Sequence, residues 1–295
     1  MRTRLIAYLA LAALLTGAAA PTGAAQSTGA AQSTEAAAPA GGEGDAAARA
    51  LLERSFRNLY ADDYVQVLRL STSFRGGREI SRVVQVTRRQ SEVPGKALLR
   101  FTWPESIRRT SVLILENEDR NDDLFIYLPS LKRTKHLASS QRGDAFFGTD
   151  LAYEDVEPKT SSDWEIEAAG AGSHEDHACR ILDLRPRATI ESTYERLQTC
   201  IEDERGVALW TDFYRRGEVV KRLETDPADI RPIAGRFIPF TMWVRTPARR
   251  SQTRVSTESY ELRDEIPDSL FSTWNLEAGD ARRDRNRAGE LRDTE

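Results

Sequence analysis

Apolar and polar side chains alternate along most of the chain beyond Tyr64, and a period of two marks strands with one face turned to a core. Tyr64–Phe74 and Arg78–Arg88 flank Gly76-Gly77 and predict a hairpin. Ala97–Trp103 sets Ala97, Leu99, Phe101 and Trp103 on one face, with Leu98, Arg100 and Thr102 on the other. Ser111–Asn117 and Leu124–Leu128 are apolar on both faces, with an acidic turn between them. Further strands are expected over Trp164–Ala168, Cys179–Leu184, Tyr194–Glu202, Val207–Arg216, Val219–Thr225, Phe237–Thr246 and Thr253–Leu262. In Phe237–Thr246, the residues Ile238, Phe240, Met242 and Val244 point inward. Helical spacing is clear once: Asp45 is a good N-cap, and Ala47, Leu51, Leu52, Phe56, Leu59 and Tyr60 then lie on or near one face. Roughly eleven strands at hairpin spacing with one helix predict a mainly β fold, a curled antiparallel sheet or half-open β-barrel with the helix on its concave side.

The ends of the chain read differently. Arg2 and Arg4 precede an apolar run, Leu5–Leu15, and then small residues, the pattern of a secretory signal over residues 1–25. The run is shorter than the ~20 apolar residues of a membrane span. Cleavage is expected between Ala20 and Pro21 or between Ala25 and Gln26, and an uncleaved anchor is the alternative. No cysteine follows the run to take a lipid anchor, so a soluble protein in the periplasm is expected. Residues 26–44 are, apart from Glu35 and Glu43, all Ala, Gly, Ser, Thr, Gln and Pro, too little apolar surface to offset the entropy of ordering, and predict a disordered tether. One domain is expected over 45–277, and a charged, frayed tail over 278–295.

Charge changes the picture by exclusion. With 42 basic against 46 acidic residues and a net charge of −4, the chain lacks the global basic field that nucleic acid requires. Lysine is confined to Lys96, Lys132, Lys135, Lys159 and Lys221. The two cysteines, Cys179 and Cys200, fall in neighbouring strands whose hairpin would pair them, and with them Leu182 and Leu197. An oxidising compartment then favours a disulfide over two reduced, buried thiols.

Leu124–Pro158 draws the rest together. A short apolar strand ends at Pro129, a residue that cannot donate to a ladder. Lys132, Arg133, Lys135, His136 and Arg142 follow, and then Phe146-Phe147-Gly148-Thr149-Asp150-Leu151-Ala152-Tyr153-Glu154-Asp155. Each large ring is worth roughly 1.5–3 kcal/mol when buried, so this loop is expected to fold back over a hydrophobic surface of its own domain. The segment resembles the outer-membrane lipoprotein-sorting proteins, the LolA-like family often found beside RND-type exporters. Tyr127, Leu128, Pro129, Arg133, Phe146, Gly148, Asp150, Tyr153, Glu154 and Asp155 match the family pattern. Ala145, Phe147 and Leu151 replace Ser, Met and Phe, and Arg109-Thr110-Ser111 stands where the family has Lys-Gly-Thr. The resemblance implies a periplasmic carrier, monomeric and without a cofactor, that shelters the acyl chains of a lipid or lipoprotein. An RND-type transporter or an outer-membrane acceptor would be its partner. A lipid-sensing adaptor or an exporter accessory of the same fold is the alternative.

Candidate chemistry is sparse. His174 and His177 stand three apart in a Gly-rich loop, without the i, i+4 spacing of a helical zinc site, so no metal is expected. Gly-x-Ser-x-Gly is absent, as are phosphate-binding and dinucleotide fingerprints, and no catalytic residue is assigned. Glu154 and Asp155 read as structural acids paired with Arg108, Arg109, Lys132 or Arg133. Lys132, Arg133, Lys135 and His136 form either a docking patch for an anionic surface or a solvated strand edge. The expected cavity walls are Leu99, Phe101, Trp103, Phe146, Phe147, Tyr153, Trp210, Phe240 and Met242, with the rings of the Phe146–Tyr153 loop as a lid; the competing possibility is that the rings plug the interior.

Overall fold

The computed structural model describes residues 41–91, 93–118 and 120–277, with the side chains of 41–43 left aside. The expected signal, most of the tether and the charged tail lie outside these residues. One helix, α1 (Gly41–Tyr60), precedes fifteen strands. They are β1 (Tyr64–Phe74), β2 (Glu79–Arg89), β3 (Lys96–Trp103), β4 (Ser111–Leu115), β5 (Asp123–Leu128), β6 (Arg133–His136), β7 (Trp164–His174) and β8 (His177–Pro186). There follow β9 (Arg196–Ile201), β10 (Ala208–Arg215), β11 (Glu218–Thr225), β12 (Ile230–Ile233), β13 (Arg236–Pro239), β14 (Thr241–Thr246) and β15 (Ser251–Leu262).

Thirteen strands make one sheet in the order β6-β5-β4-β3-β2-β1-β15-β14-β11-β10-β9-β8-β7, and β12 pairs with β13 alone. All pairs are antiparallel, and the sheet ends at β6 and β7 without closing. The class is the expected one, with more strands than expected. One difference is at Pro239 and Phe240, where Phe237–Thr246 breaks into β13 and β14. Another is β7, which runs on through an Ala/Gly stretch to His174, because its turn at Glu175 and Asp176 carries the hairpin on to His177. The first hairpin turns at Gly76 and Gly77 as expected, both at positive φ, 100° and 83°, which glycine adopts without a Cβ penalty.

Both faces of the sheet bury apolar surface. The inner face carries Leu70, Val84, Leu99, Phe101 and Val112 at one end, beneath the loop. At the other end α1 lays Ala48, Leu51 and Leu52 against Trp164, Leu182, Leu184 and Ile201. The helix begins before Asp45, and Ala48 replaces Ala47 on its buried face: Ala47 is exposed. The outer face is covered beside β3, β4 and β5 by Ile266, Phe271 and Leu276 from the segment after β15, packed on Leu98, Leu113 and Tyr127. That is why β4 and β5 are apolar on both sides. Asp268 fixes this segment through Arg89 (2.8 Å) and Lys96 (2.5 Å).

Cys179 and Cys200 form a disulfide on the outer face, their Cα atoms 5.5 Å apart. The hairpin register differs from the expected one by two residues: Leu197 lies opposite Leu184 rather than Leu182. An even slip keeps every side chain on its face, which is why the pairing survives the shift.

Candidate functional site

The loop from residue 137 to 163 crosses the inner face. Phe146 and Phe147 open a tight turn: the Phe146 N–H donates to the Leu151 carbonyl (2.7 Å), and the Thr149 N–H returns to Phe146 (3.1 Å). Phe147 and Gly148 both have positive φ, 47° and 82°, a conformation natural for glycine and strained for phenylalanine. The Phe147 ring is held by neighbours that offset this, with centroids 4.6 Å from Phe101, 5.1 Å from Phe146 and 5.9 Å from Tyr153. Asp150 pins the turn to β15, accepting from Ser251 (2.5 Å) and Thr253 (2.8 Å).

The loop then passes to the helix end of the sheet. Its Glu154 carboxylate takes the Thr193 N–H (3.0 Å) and hydroxyl (2.6 Å) and the Ser192 hydroxyl. Asp155 accepts from the Ala152 N–H (2.6 Å) and the Tyr194 phenol (3.0 Å) and pairs with Lys221 of β11, which also donates to the Tyr194 oxygen (2.6 Å). Burial pushes the Tyr194 phenol well up, and the charges of Asp155 and Glu154 push it further. The partners of the acidic pair come from the β8–β9 connection and β11 rather than, as expected, from Arg108, Arg109, Lys132 or Arg133. Behind it Arg142, also buried, bonds Glu157 and the Asp122 carbonyl.

Between α1, the loop and strands β8 to β11 and β14 lies a cavity of about 180 Å³. Its walls are mostly apolar: Leu52 and Phe56 from the helix, Leu197 and Ile201 from β9, Leu223 from β11 and Val244 from β14. Several of the polar groups along it are satisfied elsewhere, while the Trp164 Nε1, also on the wall, is buried without a partner among the described residues. Thr199 and Thr211 bond one another (2.9 Å), Thr225 donates to the Ala208 carbonyl (2.8 Å), and Asn58 donates to the Arg205 and Gly206 carbonyls (2.9 and 3.0 Å). Charge enters at the loop side, through Glu154, Asp155, Lys221 and Lys159.

Of the nine expected wall residues, Met242 lines this cavity. Leu99, Phe101, Phe146, Phe147 and Tyr153 lie together on the same inner face, but in the packed cluster under the loop turn. Trp103 and Trp210 are displaced by bulges. Phe101 pairs with Val84 but Trp103 with Val83, and Ala208 pairs with Ile201 but Trp210 with Cys200, so in each strand one extra residue flips the facing. Trp103 is thus exposed, and Trp210 packs outside against the disulfide cluster. Phe240 sits at the kink after Pro239, beneath the Arg231 guanidinium at 4.0 Å. Phe237 and Pro239 take its place at the cavity. The cavity's other walls, on β8 to β11, are ordinary strand residues such as Leu184, Leu197, Ile201, Phe213 and Leu223, and only their period-two facing could have signalled them.

Lys132, Arg133, Lys135 and His136 lie at the β6 edge of the sheet, exposed. His136 stands 3.3 Å from Asp123, and the Thr134 N–H is capped by Glu277 (3.0 Å). His174 and His177 face each other across the β7–β8 turn, with His177 3.1 Å from Glu202. Among the described residues no cluster of His, Cys, Asp and Glu is placed to hold a metal. No described helix is long and apolar enough to cross a membrane.

The single open antiparallel sheet, with a helix and a crossing loop on one face, is shared with several solved structures. A DUF1329 family protein from Desulfovibrio piger matches with a TM-score of 0.73 and 20% identity, over 79% of this chain and 99% of that one. A domain from Vibrio parahaemolyticus assigned to outer-membrane lipoprotein sorting gives 0.72 and 19%, over 79% and 99%. A LolA superfamily protein from Nitrosomonas europaea gives 0.63 and 19%, over 76% and 97%. No curated protein matches the chain. A family model described as "Uncharacterized protein" matches residues 94–278, and the chain belongs to that family.

Proposed function

We propose that this protein is a periplasmic, non-enzymatic carrier that holds an acyl chain of a lipid or lipoprotein in the cavity beside α1 and takes part in its transport toward the outer membrane. The observation that carries the reading is the cavity wall: mostly apolar side chains, with the hydroxyls of Thr199, Thr211 and Thr225 and the Asn58 amide turned to protein partners. Such a wall is mostly apolar away from the loop side, and each methylene placed against it gains about 0.8 kcal/mol. The fold shared with a lipoprotein-sorting domain and a LolA superfamily protein supports the same reading.

Incubated with a lipid extract of cell envelopes and examined by native mass spectrometry, the protein should gain discrete adducts of single acyl lipids. A spectrum that holds only the bare protein mass would count against the proposal.

A further inference from the structure

We propose that the ligand is a single acyl chain ending in an anionic headgroup, a carboxylate or a phosphate, and that Lys159 at the loop side of the cavity receives that group. The inference rests on the acyl-chain reading of the cavity and adds to it the number of chains and the sign of the head.

Size sets the number. A cavity of about 180 Å³ is little larger than the ~150 Å³ apolar hollow that holds one benzene. It is well below the roughly 300–1,000 Å³ of sites that enclose drug-sized ligands. It takes at most one chain, and not the chains of a diacyl or triacyl lipid side by side.

The sign comes from which charges at the cavity already have partners. Glu154 accepts three hydrogen bonds, and Asp155 accepts two besides its pair with Lys221. A cationic head would find no free carboxylate oxygen there. Lys159 is the opposite case. Its ammonium makes no hydrogen bond to a described residue, and its one ion pair, to Glu157, is long at 3.8 Å. Glu157 is in turn taken by Arg142. Asp122, the other acid whose charge reaches Lys159, lies behind the loop and is pushed up to about 7 by burial and by Glu157 and Glu116. Lys159 keeps about a quarter of its side chain exposed while lining the cavity. That suits a headgroup held at the mouth with its tail inside, and a charge-assisted hydrogen bond is the strong kind.

The test is displacement of a fluorescent fatty acid by laurate and by dodecan-1-ol, which share a tail and differ in the head. Lauroyl lysophosphatidic acid, a lysophospholipid with the same tail and an anionic head, serves as a third competitor to separate a phosphate from a carboxylate preference. The wild type should prefer laurate or the lysophospholipid over the alcohol by about tenfold. Lys159→Gln should erase that preference, and Lys159→Arg should keep it. Equal displacement by all three competitors, or a preference that persists in Lys159→Gln, would overturn the inference and leave the acyl-chain reading standing. If no competitor and no probe binds the wild type, both fall.

Discussion

Replacing Phe146 by alanine is expected to lower folding stability by about 3–5 kcal/mol, the usual cost of deleting a buried aromatic ring. The side chain is 1% exposed and its ring touches three others, with centroids 5.6 Å from Phe101, 5.1 Å from Phe147 and 5.5 Å from Tyr153. The loop cannot close the gap, because Phe147 and Gly148 hold a turn that Asp150 ties to β15. Urea unfolding of the variant and the wild type measures the difference. A loss below about 1 kcal/mol would mean that the ring is a mobile lid rather than core.

Lys221→Met should be of comparable size for a different reason. Lys221 and Asp155 keep only 8% and 6% of their side chains exposed, and they share the Tyr194 phenol. Removing the ammonium leaves a buried carboxylate without its counter-charge, which costs about 3–5 kcal/mol. The methionine occupies similar space, so the loss reports charge and not volume. Adding Asp155→Asn should restore part of the stability, since the stranded charge is then gone. Additive losses in the double variant would show that the two side chains do not act as a pair.

These two sites show what the sequence carried and where it stopped. The rings around Gly148 signalled a loop folded onto its own sheet, and they lie there. The same signal could not separate a ring that lines a hollow from one that fills it, because burial looks alike from either side. Period-two facing held through β3 as far as Phe101, through β14 and across the cysteine hairpin, where the slip was even. It failed at Trp103 and Trp210, each just past a single inserted residue, and at Phe240, just past Pro239. A bulge leaves little mark in composition, yet it reverses every position after it. The outer cover from Ile266 to Leu276 was hidden for another reason: it is short and lacks strand period, and it is recognised only by the apolar surface it meets on β3 to β5.

The most direct measurement of the cavity's role is uptake of a fluorescent fatty acid by the wild type and by Ala208→Trp. Ala208 lines the hollow from β10, at the edge of the cluster under α1, so an indole there takes up room in the hollow. The wild type should bind the probe saturably at one site, and the filled variant should keep a cooperative unfolding transition and lose at least about tenfold in affinity, a difference of about 1.4 kcal/mol. A folded Ala208→Trp protein that takes up the probe as well as the wild type would place the ligand elsewhere and contradict the account.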